Sequence, residues 1–178
     1  MSGFTEIGRA TLWRGDFLSV EDVTLRGPSG QEFWRRVVRH PGAVGIVAVD
    51  DGRVLLVDHY RASIARSVLE IPAGKRDVPG EEPLACAQRE LREEVGLRAE
   101  RWEHLITFAM TPGWCDEWFH LYMAEQLSAE EADPQGEEEA TMTQAWVDLS
   151  EVPAMIDDGR IADGKTIIGL LLALQRRA

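Results

Sequence analysis

Three glutamates, Glu90, Glu93 and Glu94, stand at i, i+3 and i+4 in a stretch with helical periodicity. Helix geometry therefore gathers them on one face. Like charges at this spacing repel by roughly 0.2–0.5 kcal/mol per pair. They also fall in the last helical turn, where the backbone dipole disfavours anions. Arg89 and Arg92 offset part of this. One reading is a solvated acidic face, which is common. The other is a cation site: oxygen-only ligands select hard ions such as Mg²⁺ or Mn²⁺, which keep waters and share substrate phosphates. Such ions could neutralise a diphosphate and activate a water. Glu81 and Glu82 lie in the loop ahead of the helix, and the stripe Leu84, Ala87, Leu91 and Val95 assigns the opposite face to a core. The glutamates are then expected to point outward together.

A net charge of −12 over 178 residues argues against a general affinity for nucleic acid or an anionic membrane. An acidic protein can still handle a polyanion if metal ions supply local positive charge; alternatively the acidity only maintains solubility. No apolar run is long enough to span a bilayer, and the longest, Ile167 to Leu174, contains Gly169. The first residues, Met1 to Glu6, show no basic segment followed by an apolar one, giving the expectation of a cytoplasmic protein. Cys86 and Cys115 lack metal-site spacing and fit a reducing compartment.

The elements that must hold the glutamates can be read from periodicity and turn signals. Strand character runs through the first forty residues, with Ala10 to Val23 a mixed stretch around Gly15-Asp16 and Phe33 to Val38 following Gly27-Pro28-Ser29-Gly30. Ala43 to Val49 and Val54 to Asp58 flank a hairpin signal, Asp50-Asp51-Gly52-Arg53. Ser67 to Ile71 is a short strand ending in Pro72-Ala73-Gly74. Leu84 to Val95 is the helix, with Pro83 at its start and Gly96 at its stop. Strands follow at Trp102 to Met110, Glu117 to Ala124 and Met142 to Val147. Ser128 to Glu139, with Pro134-Gln135-Gly136, reads as an acidic loop, and Ser150 to Asp157 and Lys165 to Arg176 as helices. This pattern predicts an α/β protein, a mixed sheet between helices in an α/β/α sandwich, preceded by an antiparallel β-extension.

Gly74, Glu81, Arg89-Glu90-Leu91, Glu93-Glu94 and Gly96-Leu97 together resemble the box of the Nudix hydrolases: Gly, five residues, Glu, seven residues, Arg-Glu-apolar, any, Glu-Glu, any, Gly-apolar. One spacing departs, since six residues separate Gly74 from Glu81. The extra residue falls in the loop Lys75 to Gly80, where insertion is tolerated, and similar insertions occur in the ADP-ribose pyrophosphatases of the family. The resemblance implies a Nudix fold and a Mg²⁺-dependent (Mn²⁺ possible) pyrophosphohydrolase. It implies that Glu90 and Glu94 are the principal metal ligands, with Glu93 a further ligand or helper and the Ala73 carbonyl completing a site. Arg89 would orient a box glutamate and Glu81 would support the loop. Gly74 and Gly96 would serve backbone conformation, and Leu91 and Leu97 the core.

Outside the box, Pro112 stands fifteen residues beyond Leu97 in Thr111-Pro112-Gly113-Trp114-Cys115-Asp116-Glu117, similar to the ADP-ribose pyrophosphatases. A simple turn before a strand would look the same, and Trp114 stands where those enzymes carry a smaller residue. Glu117 would bind ribose, from the same or a partner subunit. His59-Tyr60-Arg61 resembles their Gln-Tyr/Phe-Arg segment, with Arg61 holding a phosphate or an adenine-side group. The stretch Trp34 to Val44 resembles the N-terminal strand from which an arginine reaches a neighbouring site. Arg36 is the candidate, against the alternative that Arg35, Arg36 and Arg39 are surface charges. The general base would come from Glu137-Glu138-Glu139, with Glu138 favoured and Glu139 second.

The expected substrate is a nucleoside diphosphate sugar, ADP-ribose giving AMP and ribose 5-phosphate. Another sugar nucleotide, a dinucleoside polyphosphate, or a non-catalytic ADP-ribose-sensing module remain as alternatives. The resemblance further implies that residues 1–40 form an extension for a domain-swapped homodimer, and residues 41–178 the hydrolase domain.

Overall fold

The computed structural model describes residues 3–133 and 135–177. Met1 and Ser2, and Pro134 of the expected acidic loop, lie outside the described residues. In chain order the elements are β1 Thr5–Arg14, β2 Ser19–Arg26, β3 Glu32–Arg39, β4 Ala43–Asp50, β5 Arg53–Arg61, β6 Arg66–Glu70, β7 Ala73–Lys75, α1 Pro83–Val95, β8 Leu97–Ala109, β9 Trp118–Ala129, α2 Glu137–Ala140, β10 Thr143–Asp148, α3 Val152–Asp157 and α4 Gly164–Arg177. The chain divides into two compact units, one of residues 1–42 with 108–119 and one of residues 43–107 with 120–178.

In the first unit β1, β2 and β3 form an antiparallel sheet in that order. The expected stretch Ala10 to Val23 is two strands, because Gly15 donates its N–H to the Leu18 carbonyl and turns the chain between them. All ten residues of β1 are exposed, and Phe4, Leu12, Trp13 and Trp34 are more than half exposed. The turn after β8 is laid along β3: the Val38 N–H reaches the Trp114 carbonyl at 2.8 Å and the Asp116 N–H reaches the Val38 carbonyl at 3.2 Å.

In the second unit the sheet order is β10-β5-β4-β9-β8, with β6 added beside β5 and β7 beside β4. The β4–β5 hairpin turns on Asp51 and Gly52, both at positive φ, which a tight hairpin requires. Seven consecutive residues of β4, Ala43 to Val49, are buried. Both faces of that strand are therefore covered, as a continuous apolar run requires. One face, through Val44, Ile46 and Ala48, packs with Cys86, Ala87, Leu91 and Val95 of α1. The other lies under α4, whose backbone approaches so closely at Gly169 that a Cβ there would stand 2.9 Å from Val47 Cγ2. The α/β/α sandwich expected from the sequence is the architecture found.

Four local expectations change. Leu84 is 38% exposed, and Cys86 takes its place in the buried stripe of α1. β7 was not legible; it forms because Ala73, Gly74 and Lys75 pair with Gly45, Val44 and Ala43. The stretch read as a loop from Ser128 to Glu139 begins as the end of β9 and finishes in the helical turn α2. Gly96 ends α1 in the left-handed conformation, at φ 65°, and its N–H returns to the Arg92 carbonyl, so β8 starts at once at Leu97 rather than at Trp102. Among the described residues no helix is long and apolar enough to cross a membrane.

Leu91 is fully buried in the α1 layer. Leu91→Ala is expected to cost about 3 kcal/mol through lost burial and a residual cavity, measured by urea unfolding. A loss under about 1 kcal/mol would show that α1 is not anchored through this residue.

Candidate active site

The two ends of the glutamate cluster are buried, not turned outward: Glu90 and Glu94 are each 8% exposed. The reason is β7, which covers this edge of α1. Ala73 donates its backbone N–H to Glu94 Oε2 at 2.9 Å. Gly74 lies against Glu90 so tightly that a Cβ there would fall 1.8 Å from the Glu90 carboxyl carbon. Gly74 is thus needed for space beside a carboxylate; its φ is not in the left-handed region. Gly96 does serve backbone conformation, as expected.

Arg89 is the hub of the cluster. Its Nε and Nη2 donate to the two carboxylate oxygens of Glu81, each at 3.0 Å. Its Nη1 donates to Glu90 at 2.8 Å and to Glu93 at 3.0 Å. The other Glu93 oxygen accepts from Arg92 at 3.0 Å, so Glu93 is tied to arginine on both sides. The planar guanidinium fork suits this bridging. Glu81 holds Arg89 in place, and Arg89 keeps the Glu81 carboxyl below its usual range.

Burial dominates the chemistry of the other two. Desolvation pushes Glu90 up to about 7 against the pull of Arg89, with Glu93 and Glu139 adding to the rise. Desolvation and the charge of Glu90 push Glu94 up to about 8 against the Ala73 N–H and Arg61. A pair of desolvated carboxylates short of positive charge suits a hard divalent cation. Among the described residues no three His, Cys, Asp or Glu side chains gather as a complete ligand group. An ion on Glu90 and Glu94 would therefore take further oxygens from backbone, water or substrate, as Mg²⁺ commonly does.

Glu139 is half-buried in α2 and Glu138 is exposed. The charge of Glu139 adds to the rise at both Glu90 and Glu94, and Glu139 is the more buried of the two loop carboxylates. Arg61 ends β5 and is not an open fork: its Nε and Nη2 both bind Glu70, which is 2% exposed. Lys165 also binds Glu70, and lies 3.0 Å from Asp163. Asp163 in turn accepts from the Thr166 N–H and hydroxyl. The sequence reading missed this network. Its signal was Glu70 itself, a charged residue between apolar Leu69 and Ile71 at the end of β6. A cavity of about 280 Å³ opens here, lined among others by Arg61, Ser63, Arg66, Asp163 and Lys165.

Arg36, Pro112 and Glu117 belong to the first unit. Arg36 binds both oxygens of Asp22, at 2.9 and 3.1 Å, and lies over the Trp34 ring. Pro112 sits in a turn closed by the Trp114 N–H on the Thr111 carbonyl at 3.1 Å. A Glu117 oxygen lies 4.0 Å from His40 Nδ1. A cavity of about 380 Å³ in this unit is lined by Arg35, Pro112, Trp114, Asp116 and Trp118, among others.

Gly74→Ala must displace Glu90 and is expected to abolish divalent-cation binding measured by calorimetry, with the fold retained by circular dichroism. Unchanged affinity would remove Glu90 from the site. A pH dependence also follows. Glu90 and Glu94 bind protons more tightly folded than unfolded, so their contribution to stability is full below about 4.5 and is lost as pH rises through about 7 and about 8. In EDTA the melting temperature is expected to fall between about pH 5 and pH 8.5, and Mg²⁺ to restore it most at the alkaline end. A flat profile in EDTA would contradict the burial of both carboxylates.

A model described as NUDIX domain matches residues 38–168. The chain is 42% identical to a "Methanol dehydrogenase activator" of Bacillus methanolicus over 154 residues, 86% of this chain and 82% of that protein. It is 39% identical over 169 residues to an "ADP-ribose pyrophosphatase" of Mycobacterium tuberculosis (strain ATCC 25618 / H37Rv), 94% of this chain and 82% of that one. A solved structure titled "Crystal structure of ADP compounds hydrolase" shares the fold with a TM-score of 0.85 at 24% identity, covering 98% of this chain and 94% of that chain. With the family model spanning most of the sequence and the box residues gathered around Arg89 and Gly74, the chain belongs to the Nudix hydrolases.

Proposed function

We propose that this hydrolase cleaves the pyrophosphate bridge of a nucleoside diphosphate sugar, ADP-ribose, to AMP and ribose 5-phosphate, with Mg²⁺ as cofactor and Mn²⁺ as a substitute. The observation that carries the reading is the pair of buried carboxylates, Glu90 and Glu94, held against Ala73 and Gly74 with too little positive charge around them. The name borne by the Mycobacterium relative supports the choice of ADP-ribose.

Glu90, Glu94 and the carbonyl of Ala73 would hold the Mg²⁺. When bound, the ion spreads the charge of the diphosphate and lowers the pKa of water. Arg89 keeps Glu90 aimed at the site and Glu93 beside it, while Glu81 anchors Arg89 from the preceding loop. Glu139 takes the proton of the attacking water, with Glu138 the second candidate for that role. Arg61, with two donors committed to Glu70, keeps its remaining edge for a phosphate of the substrate.

Arg36, Glu117 and Pro112 contribute to substrate binding from the N-terminal unit, within a domain-swapped homodimer. Residues 1–40 are the dimerisation extension and residues 41–178 the catalytic domain. The ten exposed residues of β1 and the exposed Phe4, Leu12 and Trp13 support burial against a second copy.

Incubating the protein with ADP-ribose and Mg²⁺ is expected to yield AMP and ribose 5-phosphate by ion-exchange chromatography, and EDTA to stop the reaction. Glu94→Gln should fold normally and lose at least about 100-fold in kcat. Near wild-type turnover at saturating Mg²⁺ refutes the ligand assignment. Glu139→Gln should lower kcat by about 100-fold or more with KM little changed, and Glu138→Gln much less; the reverse ranking moves the base to Glu138.

A further inference from the structure

His59 is unexplained by the hydrolytic reading. It lies in β5, is 6% exposed, and its Nε2 is buried with no hydrogen-bond partner among the described residues. An unpaired polar atom in such a place is unfavourable unless a second state supplies its partner.

The surroundings narrow that partner by elimination. Arg61, two residues on, can only donate. Glu70 has one oxygen bound to Arg61 Nε and the other shared by Arg61 Nη2 and Lys165. Two further carboxylates whose charge reaches the His59 ring are Glu138, the larger contributor, and Glu139, both of α2. Burial and Arg61 hold the imidazole below its usual pKa, so near neutral pH it is uncharged and carries one N–H.

The topology keeps α2 close. β10, which follows α2, pairs with β5 so that Thr143 stands opposite Asp58, the neighbour of His59. Glu138 is exposed, whereas Glu139 is half-buried and faces the box glutamates electrostatically. Glu139 uses Oε2 on the Gln135 backbone N–H. Gly136, between Gln135 and α2, has φ 103°, a conformation open to glycine, and a Cβ there would touch nothing.

We propose that His59 is a positioning residue: its Nε2–H donates to the Glu139 carboxylate in the working state and aims that carboxylate at the attacking water. This rests on the reading of Glu139 as the base. A neutral donor suits the task, because it restrains the carboxylate without neutralising it. A base displaced by about 1 Å loses rate steeply.

The test uses the full-length protein with Mg²⁺ and AMP as the probe, and steady-state turnover of ADP-ribose. In imidazole nitrogen NMR, the His59 Nε2–H signal is expected to shift when Mg²⁺ and AMP are added, and that shift to vanish in Glu139→Gln but persist in Glu138→Gln. In turnover, His59→Phe is expected to lower kcat about tenfold with KM unchanged, and His59→Gln, which keeps a donor, to recover most of it. On a Glu139→Gln background, His59→Phe should cost nothing more. An Nε2–H signal indifferent to Glu139→Gln, or losses that multiply in the double variant, overturns the proposal. If wild-type protein leaves ADP-ribose intact while the NMR coupling to Glu139 is present, the substrate assignment fails and the positioning contact stands. Active wild-type protein with no coupling sinks the contact alone.

Discussion

The burial of two carboxylates from one helix, Glu90 and Glu94, against the backbone of a three-residue strand is the constraint around which this molecule is arranged. Desolvating a carboxylate is costly, and desolvating two adjacent ones more so. Every neighbouring element can be read as support for that arrangement. β7 pairs with β4, which brings Ala73 and Gly74 under the helix. Gly74 has no side chain because the Glu90 carboxyl occupies that space. Leu91 and Val95, packed on β4 and β5, press the opposite side of the same helix into the core. The core therefore sets the rotation of α1, and that rotation sets where the carboxylates lie.

Positive charge in the second unit is rationed in the same way. Arg89 serves Glu81, Glu90 and Glu93. Arg61 and Lys165 converge on Glu70, and Lys165 also approaches Asp163. Buried pairs of this kind are weak contributors to stability and strong constraints on orientation. Among the described residues Glu94 accepts from the Ala73 N–H and feels the charge of Arg61, against desolvation and the charge of Glu90. A chain with a net charge of −12 can then meet a polyanion where cations are bound, instead of through a basic surface.

Legibility in the sequence followed the range of the interactions. Helix α1, its stop at Gly96, the hairpin at Asp51-Gly52 and the double burial of β4 are set by local pattern, and were readable from it. The box glutamates were readable as a set because helical spacing alone puts them together. Their burial was not, since periodicity gives a shared face but not what covers it, and the cover is a strand made by pairing Ala73 with Gly45. The difference in burial between Glu138 and Glu139 was hidden for a similar reason: both lie on one helical turn, and local pattern does not say what covers either. Glu70 and Lys165 are 95 residues apart in the chain, and no local pattern relates them. In the first unit, the turn residues Thr111 and Trp114 were visible, but the laying of that turn along β3 was not.

The same burial links activity to stability. Below neutrality Glu90 and Glu94 can hold protons and the site is nearly relaxed; above it they ionise in a poorly solvated place, and the folded state bears the repulsion. A divalent cation bound there would remove the repulsion in place of the protons, so affinity for the ion and relief of strain would be one free energy, not two. Arg89 cannot substitute for the ion, because its donors are divided among three carboxylates and it lies on the Glu81 side of the helix. A site with enough fixed positive charge to be comfortable when empty would have little reason to bind a cation. Leaving Glu94 undercompensated distinguishes this helix edge from a structural salt-bridge network, and the proposed cation site rests on that difference.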